Sequence, residues 1–561
     1  MERSSKEVKI TIVLDNGKTT RLSEGKKEHS VTVTHDSSMT LMSTLLKNGL
    51  LEGSFCGGRG DCGRCRVQFI EGVMIPTMLE RSVMTVDELR QGYRLACLAR
   101  PKDDCVIRLA FAEEKKIAII SNMIDMPENN DQLSQQNMQS INQTTSVSST
   151  DVMKESAVTG TDVIEKEPNS EEKAAAPERI TAVREGLIAV DLGTTTIAMQ
   201  LMEVDNGRIL DTYCAMNPQR RYGSDVLSRI RASCDGHREE LRQLVMSVLK
   251  EGVMQFEKSG TAIRGMCIAG NTTMTHLLMG YDVLSLGSSP FTPVDIGLQV
   301  YEDSAWDLPV WIAPGISAFV GGDIVAGLYA LKMFPDDRRI DCYGQCESLA
   351  LGEEDTDLST RLLIDLGTNG EMAITDGRRM IVTATAAGPA FEGGAGAGIV
   401  GSDMIANAAE LLERGILDET GLLEEPWFSE GICTGEPAVR LYNKDIRDLQ
   451  MAKAAVRAGV EILWKKMGQP RIRQVYLAGG FGYYLDVEAA FRIGLLPVSM
   501  RGRVTAAGNT SLAGAYHIGC DLLSGSVDKE TLENRLSFIE SINLAEQEEF
   551  ETLYVKYMDF R

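Results

Sequence analysis

The sequence predicts a multidomain protein in which an N-terminal β-grasp domain and a duplicated α/β domain are joined by a flexible linker. Five of the 12 cysteines lie within the first 105 residues. No aromatic residue occurs between Phe111 and Tyr213. An apolar segment followed by Asp-Leu-Gly-Thr occurs twice, with its aspartate at Asp191 and at Asp365. The predicted domains are residues 1–112, 113–185 and 186–561.

The first domain has the element order of a β-grasp. Apolar alternation predicts strands at 8–14 and 31–34, and the pair Asn16-Gly17 between them favours a hairpin turn. The amphipathic segment 37–49 predicts a helix that starts on a serine cap and stops at a glycine. A cysteine-rich loop, the strand RVQFIEG, the helix TVDELRQG and the strand VIRLAFA follow.

The second segment is a polar linker. From Ile117 to Met153 there is no lysine or arginine, only amides, hydroxyls, acids and scattered aliphatic residues. Such a composition buries too little apolar surface to offset the entropy of ordering. We therefore predict a flexible tether over 113–185, ending before the aliphatic strand at Leu187.

The third domain is predicted to contain two related lobes, at about 186–345 and 361–561. LIAVDLGTTTIAMQLM and LLIDLGTNGEMAITD each give an apolar strand, the Asp-Leu-Gly-Thr turn and a second apolar strand. A later strand ending in Ala-Gly follows each copy, in MCIAGNTT and in VYLAGGFG. Two such lobes would place all four turns around one ligand.

The net charge and the hydropathy of the sequence limit the kinds of partner that the protein is expected to bind. The formal net charge of −23 is unfavourable for binding nucleic acid. No run approaches the roughly eighteen consecutive apolar residues of a membrane helix, and the N-terminus MERSSKEVKI has no apolar signal core. We therefore expect a cytoplasmic protein that binds neither nucleic acid nor membrane.

The strongest motif is the cysteine loop. The spacing Cys56-x5-Cys62-x2-Cys65-x31-Cys97 resembles a [2Fe-2S] ferredoxin site, with one extra residue in the first gap. The glycines between the first three cysteines let the backbone curl around inorganic sulfide and donate N–H groups to an anionic cluster. A zinc knuckle at Cys62 and Cys65 is the alternative, but it would need a second close cysteine pair. Cys105 competes with Cys97 as the fourth ligand, and we favour Cys97.

The repeated turns are suited to phosphate chemistry. In each copy the turn amides and hydroxyls can approach phosphate oxygens while the aspartate holds Mg²⁺ through water. The glycine-rich turn AGGFG at 478–482 offers a surface free of side chains for an adenosine. The candidate nucleotide-binding residues are Gly193, Thr194, Thr195, Thr196, Gly367, Thr368, Asn369, Gly479, Gly480 and Phe481.

These motifs carry a family resemblance. The paired turns and late Gly-Gly turn resemble the actin, Hsp70 and sugar-kinase ATPase superfamily, which has an RNase H-like fold. With the [2Fe-2S] module, residues 1–112 and 186–561 resemble the reductive activators of corrinoid-dependent methyltransferases. The supporting motifs are GSDVLSRI (223–230), AGNTTMTHLLMG (269–280), PGISAFVGGDIVAG (314–327), AAGPAFEGG (386–394) and YLAGGFG (476–482).

The resemblance implies ATP-dependent reduction of an inactive Co(II) corrinoid protein to Co(I), with the electron supplied by the [2Fe-2S] cluster. It implies ATP and Mg²⁺ as further cofactors, an external low-potential donor of the ferredoxin or flavodoxin type, and a methyltransferase system as the process served. Asp191 and Asp365 would organise Mg²⁺ and the attacking water. A homodimer is compatible with the sequence.

Some features depart from the family pattern or stay outside it. The family often has a folded middle domain where this chain has the polar linker, so a middle-domain dimer interface is not expected. Asp323, Glu371 and Glu392 are interpreted as helix caps or solvated acids. The glycine-rich run at 393–399 offers no side chain to cobalt, and Ser402 is the nearest candidate.

Two other functions fit the same motifs. A small-molecule kinase of the superfamily would release ADP only with its substrate and would need no corrinoid protein. A redox-sensing nucleotide-binding protein would bind ATP without reducing a corrinoid. Both alternatives stay open at the level of sequence.

Overall fold

The structure is a computed structural model that describes residues 7–13, 30–50, 60, 65–84, 86–109, 184–301, 306–335, 360–367, 369–387, 401–434, 439–479 and 485–560. The chain divides into two units, and all of these residues belong to the unit formed by Met1–Met123 and Arg184–Arg561. The hairpin turn at Asn16-Gly17 and residues 113–183 of the predicted linker lie outside the described residues, and Glu185, the last predicted linker residue, already belongs to the first strand of the C-terminal domain. No helix in the described part is long and apolar enough to cross a membrane.

The N-terminal domain is a β-grasp, as predicted. Its strands are β1 (Glu7–Val13), β2 (Ser30–Asp36), β3 (Arg66–Glu71), β4 (Tyr93–Leu95) and β5 (Cys105–Leu109), in the sheet order β2-β1-β5-β3-β4. Its helices are α1 (Leu41–Lys47), α2 (Met78–Val83) and α3 (Val86–Arg90). Alternate residues of β1, Ile10 and Ile12, are fully buried against Leu41 and Leu45 of α1. This two-residue period is what the sequence pattern predicts for a half-buried strand.

The first helix starts later than predicted. Its N-cap is Thr40, whose hydroxyl accepts a hydrogen bond from the Ser43 amide at 3.2 Å. The expected cap, Ser37, instead lies in a turn. Asp36 closes this turn by accepting bonds from the Ser38 amide and hydroxyl at 2.8 and 2.7 Å. The predicted stop is confirmed, because Gly49 follows the helix with a left-handed φ of 66°.

The C-terminal domain contains two six-stranded sheets that share the order of five strands and differ in the position of the sixth. In the first sheet the strands are β6 (Glu185–Leu192), β7 (Thr196–Glu203), β8 (Ile209–Met216), β9 (Ala262–Gly270), β10 (Gln299–Val300) and β11 (Val310–Ile312), in the order β10-β11-β9-β6-β7-β8. The second contains β12 (Arg361–Leu366), β13 (Gly370–Thr375), β14 (Met380–Thr385), β17 (Gln474–Ala478), β18 (Val504–Gly508) and β19 (Ile539–Ser541), in the order β18-β17-β12-β13-β14-β19. A separate hairpin joins β15 (Ile432–Thr434) to β16 (Val439–Leu441).

The strand register confirms the internal duplication. In each lobe the first strand pairs antiparallel with the second and parallel with the fourth. Asp191 is opposite Ala198 and Ala269, and Asp365 occupies the same place opposite Glu371 and Ala478. Both faces of the central strands are buried, which explains their unbroken apolar sequence.

Helices cover the sheets. In the first half of the domain they are α4 (Val226–Ala232), α5 (Arg238–Glu257), α6 (Thr272–Met279) and α7 (Gly322–Ala330). In the second half they are α8 (Gly401–Glu413), α9 (Trp427–Glu430), α10 (Asn443–Lys466), α11 (Val487–Arg492), α12 (Thr510–Ser524), α13 (Lys529–Ser537) and α14 (Phe550–Lys556). On one face of the first sheet, Ile188 and Val190 pack with Val245 and Leu249 of α5.

Each lobe receives a helix from the other half of the chain. Helix α12, which the sequence analysis assigns to the second lobe, packs on the first sheet, where Leu512 and Ala515 join a core with Leu187 and Ala189. Helix α7 packs on the second sheet, where Ile324 lies in one core with Leu363 and Ala478. The two helices therefore tie the lobes together.

The crossing of α7 and α12 depends on a glycine. A Cβ atom added at Gly514 would overlap the backbone of Ala326. We expect Gly514→Ala to destabilise the domain by about 3 kcal/mol, because rigid backbone cannot move aside as a side chain can. Equilibrium urea unfolding measures the change.

A matched control is Gly252→Ala in α5. There the added Cβ atom would meet the end of the Met199 side chain, which can rotate away. We expect a change of less than about 1 kcal/mol at this site. Equal losses in the two variants would show that the crossing has no special packing constraint.

Candidate active site

The predicted first phosphate loop, Gly193–Thr195, connects β6 to β7 at the edge of the first sheet. A Cβ atom added at Gly193 would lie 2.5 Å from the Thr196 carbonyl oxygen, so the tight turn needs a glycine. Asn217 supports the loop from behind: its side-chain amide donates to the Gly193 carbonyl at 2.9 Å and its backbone N–H donates to the Thr195 carbonyl at 2.8 Å. The predicted residues Gly193 to Thr196 thus form one ordered turn.

The N-termini of α6 and α7 border this loop. Asn271 caps α6 by accepting a bond from the Met274 amide at 3.0 Å, and it donates to the Thr194 hydroxyl oxygen at 3.0 Å. A Cβ atom added at Gly321, the residue before α7, would lie 2.5 Å from the Asn271 Cα atom. Close backbone contact therefore brings the two helix N-termini, with their partial positive charge, beside the phosphate loop.

Asp191 is held by residues that the sequence analysis did not identify. The Asn509 side-chain amide donates to Asp191 Oδ2 at 2.8 Å, and the Ser511 hydroxyl donates to Oδ1 at 3.0 Å. Asn509 also caps α12 by accepting a bond from the Leu512 amide at 2.8 Å. The start of α12 therefore orients a carboxylate that lies more than 300 residues earlier in the chain.

The second lobe supplies a matching turn after β12. The Gly367 amide donates to the Asn369 carbonyl at 2.9 Å, and the Asn369 side chain donates to Glu371 at 3.3 Å. Gly479 has a φ of 86°, and a Cβ atom there would lie 2.6 Å from an Asp365 carboxylate oxygen. The late Gly-Gly turn is thus in contact with the second aspartate. Three predicted residues, Thr368, Gly480 and Phe481, lie outside the described residues.

Two of the acids interpreted as caps or solvated groups lie instead near the aspartates. Glu371 is buried, with 6% of its surface exposed, so its interpretation as a solvated acid is wrong. Asp323 lies in the first turn of α7, whose N-cap is Gly321, so Asp323 is not the cap. Its carboxylate interacts electrostatically with Asp191 and with Asp365. Glu392 lies outside the described residues.

The carboxylates repel one another in a poorly solvated site. Burial, followed by the charge of Asp191, raises the pKa of Asp323 to about 7. Burial, followed by the charges of Asp323 and Asp191, raises the pKa of Asp365 to about 8. Burial also raises the pKa of Asp191, and the bonds from Asn509 and Ser511 oppose that rise. Clustered acids with raised pKa values favour a cation that neutralises them.

The chemistry of these donors suits Mg²⁺. Among the described residues, no three metal-ligating side chains converge closely enough to bind one ion directly. The carboxylates therefore lie too far apart to share one coordination sphere. Mg²⁺ keeps several waters and is commonly bound through one or two carboxylates and substrate phosphates. The residues present fit a hydrated Mg²⁺ ion accompanied by a nucleotide.

The raised pKa values predict how stability depends on pH. Between about pH 4 and 8 the folded metal-free protein holds a proton on Asp365 that the unfolded chain releases. The free energy of unfolding should therefore fall as pH rises through this window. We expect the Tm in EDTA to be lower at about pH 8 than at about pH 6, as measured by calorimetry.

The variant Asp365→Asn tests the assignment. It removes the titrating group, so the Tm of the variant should depend less steeply on pH than the Tm of the parent protein. An identical pH dependence in both proteins would assign the effect to other groups. Added Mg²⁺ with nucleotide should reduce the difference in the parent protein, because the cation replaces the protons.

The cysteine loop lies in the β-grasp domain. Cys65 and Cys97 are buried, and the Cys97 amide donates to the Cys65 sulfur at 3.5 Å. The Ala96 amide donates to the Cys65 carbonyl at 2.7 Å. The fold thus joins the two cysteines that the spacing places 32 residues apart. Cys56 and Cys62 lie outside the described residues.

The surroundings of the loop fit a cluster. Gly60 has a φ of 82°, and a Cβ atom there would lie 2.8 Å from the Leu98 side chain, next to Cys97. The left-handed backbone at this position strongly favours glycine. An amide that donates to a cysteine sulfur is a typical neighbour of an iron-sulfur site, where it stabilises the negative charge. The described residues are therefore compatible with a [2Fe-2S] cluster.

The two remaining candidates are less suited to their predicted roles. Cys105 is at the start of β5 and lies against Gly72, and burial raises the pKa of its thiol to about 11. A high pKa disfavours the thiolate that a metal needs. Ser402 is buried in the first turn of α8, so we do not propose it as a contact to cobalt.

The fold defines a class of protein in which a [2Fe-2S] ferredoxin-type domain is joined to an ASKHA domain, the domain type of actin and sugar kinases. Comparison with domain families agrees. Residues 25–102 match the 2Fe-2S iron-sulfur cluster binding domain. Residues 187–336 match the RACo middle region, and 359–396 with 395–561 match the C-terminal domain of RACo, the ASKHA domain. The chain belongs to the RACo family.

These matches correct one expectation. The sequence analysis takes the family's middle domain to be absent and replaced by the linker. The middle region instead matches 187–336, which forms the first sheet and its helices. The expectation was wrong because this region carries the same Asp-Leu-Gly-Thr turn as the second lobe, which led to its assignment to a duplicated ATPase domain.

Individual relatives were also found. The chain is 27% identical over 396 residues to the corrinoid activation enzyme RamQ of Eubacterium limosum, covering 58% of this chain and 63% of that protein. It is 22% identical over 391 residues to a [Co(II) methylated amine-specific corrinoid protein] reductase of Methanosarcina barkeri, covering 58% and 68%. The match thus spans less than two thirds of RamQ.

A solved structure confirms the fold. The reductive activator for corrinoid,iron-sulfur protein superposes with a TM-score of 0.55 at 24% identity. The superposition covers 99% of this chain and 98% of that one. The likeness therefore extends over the β-grasp domain and over both lobes of the C-terminal domain.

Proposed function

We propose that the protein is an ATP-dependent reductive activator of a corrinoid protein. The observation that carries this proposal is the combination of a cluster-type cysteine pair with two facing phosphate turns whose aspartates belong to one acidic cluster. RamQ and the Methanosarcina reductase, each of which matches 58% of this chain, are named for corrinoid activation and reduction. The cytoplasm, where ATP is available and thiols stay reduced, is the proposed location.

The proposed redox step transfers one electron. When bound, the [2Fe-2S] cluster supplies that electron, and Cys56, Cys62, Cys65 and Cys97 are its proposed ligands. The substrate is the Co(II) corrinoid of the partner protein, which gains the electron and becomes Co(I). An external low-potential donor of the ferredoxin or flavodoxin type then restores the electron to the activator.

The ATPase domain is proposed to make the transfer favourable. Each ~59 mV by which the donor potential falls short costs about a factor of ten in a one-electron equilibrium. A ligand can change that balance only by binding one conformation better than another. Nucleotide contacts both lobes in this proposal, so its binding and hydrolysis can bias the fit to the corrinoid protein.

Each part of the nucleotide has proposed partners. Asp191 and Asp365 orient the waters of Mg²⁺ and the water that attacks the γ-phosphate. The hydroxyls and amides of the two turns bind the phosphates, and the turn at Gly479 receives the adenosine. The proposed phosphate and adenosine contacts are Gly193, Thr194, Thr195, Thr196, Gly367, Thr368, Asn369, Gly479, Gly480 and Phe481. One chain supplies both halves of this cleft, so the proposal does not require a homodimer.

The proposal is tested by following cobalt directly. The reduced protein is mixed with a Co(II) corrinoid protein and an electron donor, and the Co(I) absorption band is recorded with and without Mg-ATP. Growth of the band only with Mg-ATP supports the proposal, and a non-hydrolysable ATP analogue separates binding from hydrolysis. ATP binding without any Co(I) band for several corrinoid proteins would overturn it in favour of a kinase or a redox sensor.

A further inference from the structure

Arg229 is a fully buried arginine directly behind the first phosphate loop. It belongs to the motif GSDVLSRI on α4, to which no role in catalysis or binding has yet been assigned. Its guanidinium donates to the Thr194 carbonyl, to the Gln219 side-chain oxygen at 3.3 Å and to the Met274 sulfur at 3.0 Å. Its Nε donates to the Gly223 carbonyl at 3.3 Å. One planar group thus joins the loop to three other segments of the first lobe.

These contacts fix the direction of the loop peptides. Asn217 binds the Gly193 carbonyl and Arg229 binds the Thr194 carbonyl, both from the protein interior. In a trans peptide the C=O and the following N–H point in opposite directions. The N–H groups of Thr194 and Thr195 are therefore turned away from Arg229, toward the side on which a ligand would lie.

The charge of Arg229 adds to this geometry. Its exposed surface is 0%, so water does not screen the guanidinium as it would at the surface. A positive charge behind a turn with outward N–H groups favours an anion on the opposite side of the turn. The planar guanidinium also donates to several widely spaced acceptors at once, which the compact ammonium group of lysine cannot do.

We propose that Arg229 is the positioning residue that aims the first phosphate loop at the polyphosphate of a nucleoside triphosphate. The inference rests on the proposed function, because that function places ATP in the cleft. Arg229 touches no ligand and acts only through the peptide groups of Gly193–Thr195. It should therefore influence the binding of phosphates and leave the binding of the nucleoside unchanged.

The test compares ATP and adenosine binding to the full-length protein by titration calorimetry. Arg229→Met should weaken ATP binding about tenfold to a hundredfold, which is the loss typical when a group that orients the ligands of a metal site is removed. Its affinity for adenosine should not change. The control is Lys453→Met, which removes another buried basic side chain of the same domain, one that donates to the Asp559 carbonyl far along the chain. The control should bind ATP with the affinity of the parent protein.

If Arg229→Met does not fold, Arg229→Lys is the second variant that tests the proposal. Lysine keeps the charge but cannot bond the Thr194, Gly223 and Gln219 oxygens together, so ATP binding should weaken by about tenfold. Parental ATP affinity in the folded Arg229 variants would overturn the proposal, as would equal losses for ATP and adenosine. Failure of the parent protein itself to bind ATP would contradict the proposed function instead, so the two failures are distinguishable.

Discussion

Replacing Cys97 with serine is expected to abolish both the visible absorption of the [2Fe-2S] cluster and the reduction of the corrinoid protein. Cys97 is buried and its amide contacts the Cys65 sulfur, so a serine oxygen would stand where a thiolate ligand is proposed. ATP binding should persist, because the nucleotide residues lie in a different domain. Anaerobic absorption spectra, iron content and ATP titration together measure the effect.

Cys105→Ser is the matched control for this prediction. Cys105 is the competing candidate for the fourth ligand, it is equally buried, and it lies in the same domain against Gly72. This variant should keep its spectrum and its iron. If Cys105→Ser were colourless and Cys97→Ser kept the visible spectrum, the ligand assignment would be reversed. A parent protein that contains zinc would contradict the redox proposal.

Asp365→Asn is expected to lower the rate of ATP hydrolysis at least about a hundredfold while the Kd for ATP stays the same or decreases. The amide cannot orient a metal-bound water as a carboxylate does. It also removes a negative charge that Asp191 and Asp323 repel, as the raised pKa of Asp365 shows. Steady-state phosphate release and equilibrium ATP binding separate the two effects.

The control for Asp365 is Asp307→Asn, which neutralises an exposed acid in the loop before β11. Its rate and Kd should equal those of the parent protein. Hydrolysis at the parental rate by Asp365→Asn would exclude this carboxylate from the chemistry. A loss of ATP binding with no further loss of rate in the bound state would assign it to binding alone.

The sequence predicted those parts of the fold that depend on short-range patterns. Strand alternation and the repeated Asp-Leu-Gly-Thr turns were enough to predict the β-grasp and two related lobes. The helix start at Thr40 was predicted three residues too early, because both Ser37 and Thr40 are good caps. Only the Asp36 turn, visible in three dimensions, decides between them.

The parts of the site that were missed depend on long-range packing. Asn509 and Ser511 contact Asp191 across 318 and 320 residues, so no local pattern links them. A signal was nevertheless present. Asn-Thr-Ser at 509–511 begins the helix that follows β18, and Gly-Gly-Asp at 321–323 begins the helix that follows the equivalent strand β11. Comparing the two copies position by position would have revealed both helix starts as parts of the cleft.

The exchange of α7 and α12 between the lobes sets an order for folding during synthesis. Leu187 and Ala189 of β6 cannot be buried by Leu512 and Ala515 until the ribosome has added these two residues, more than 300 residues later. At roughly 5–20 residues per second this delay is on the order of tens of seconds. One face of the first sheet therefore stays uncovered while the rest of the chain emerges, and a nascent chain stalled before Thr510 would present an apolar surface that chaperones recognise.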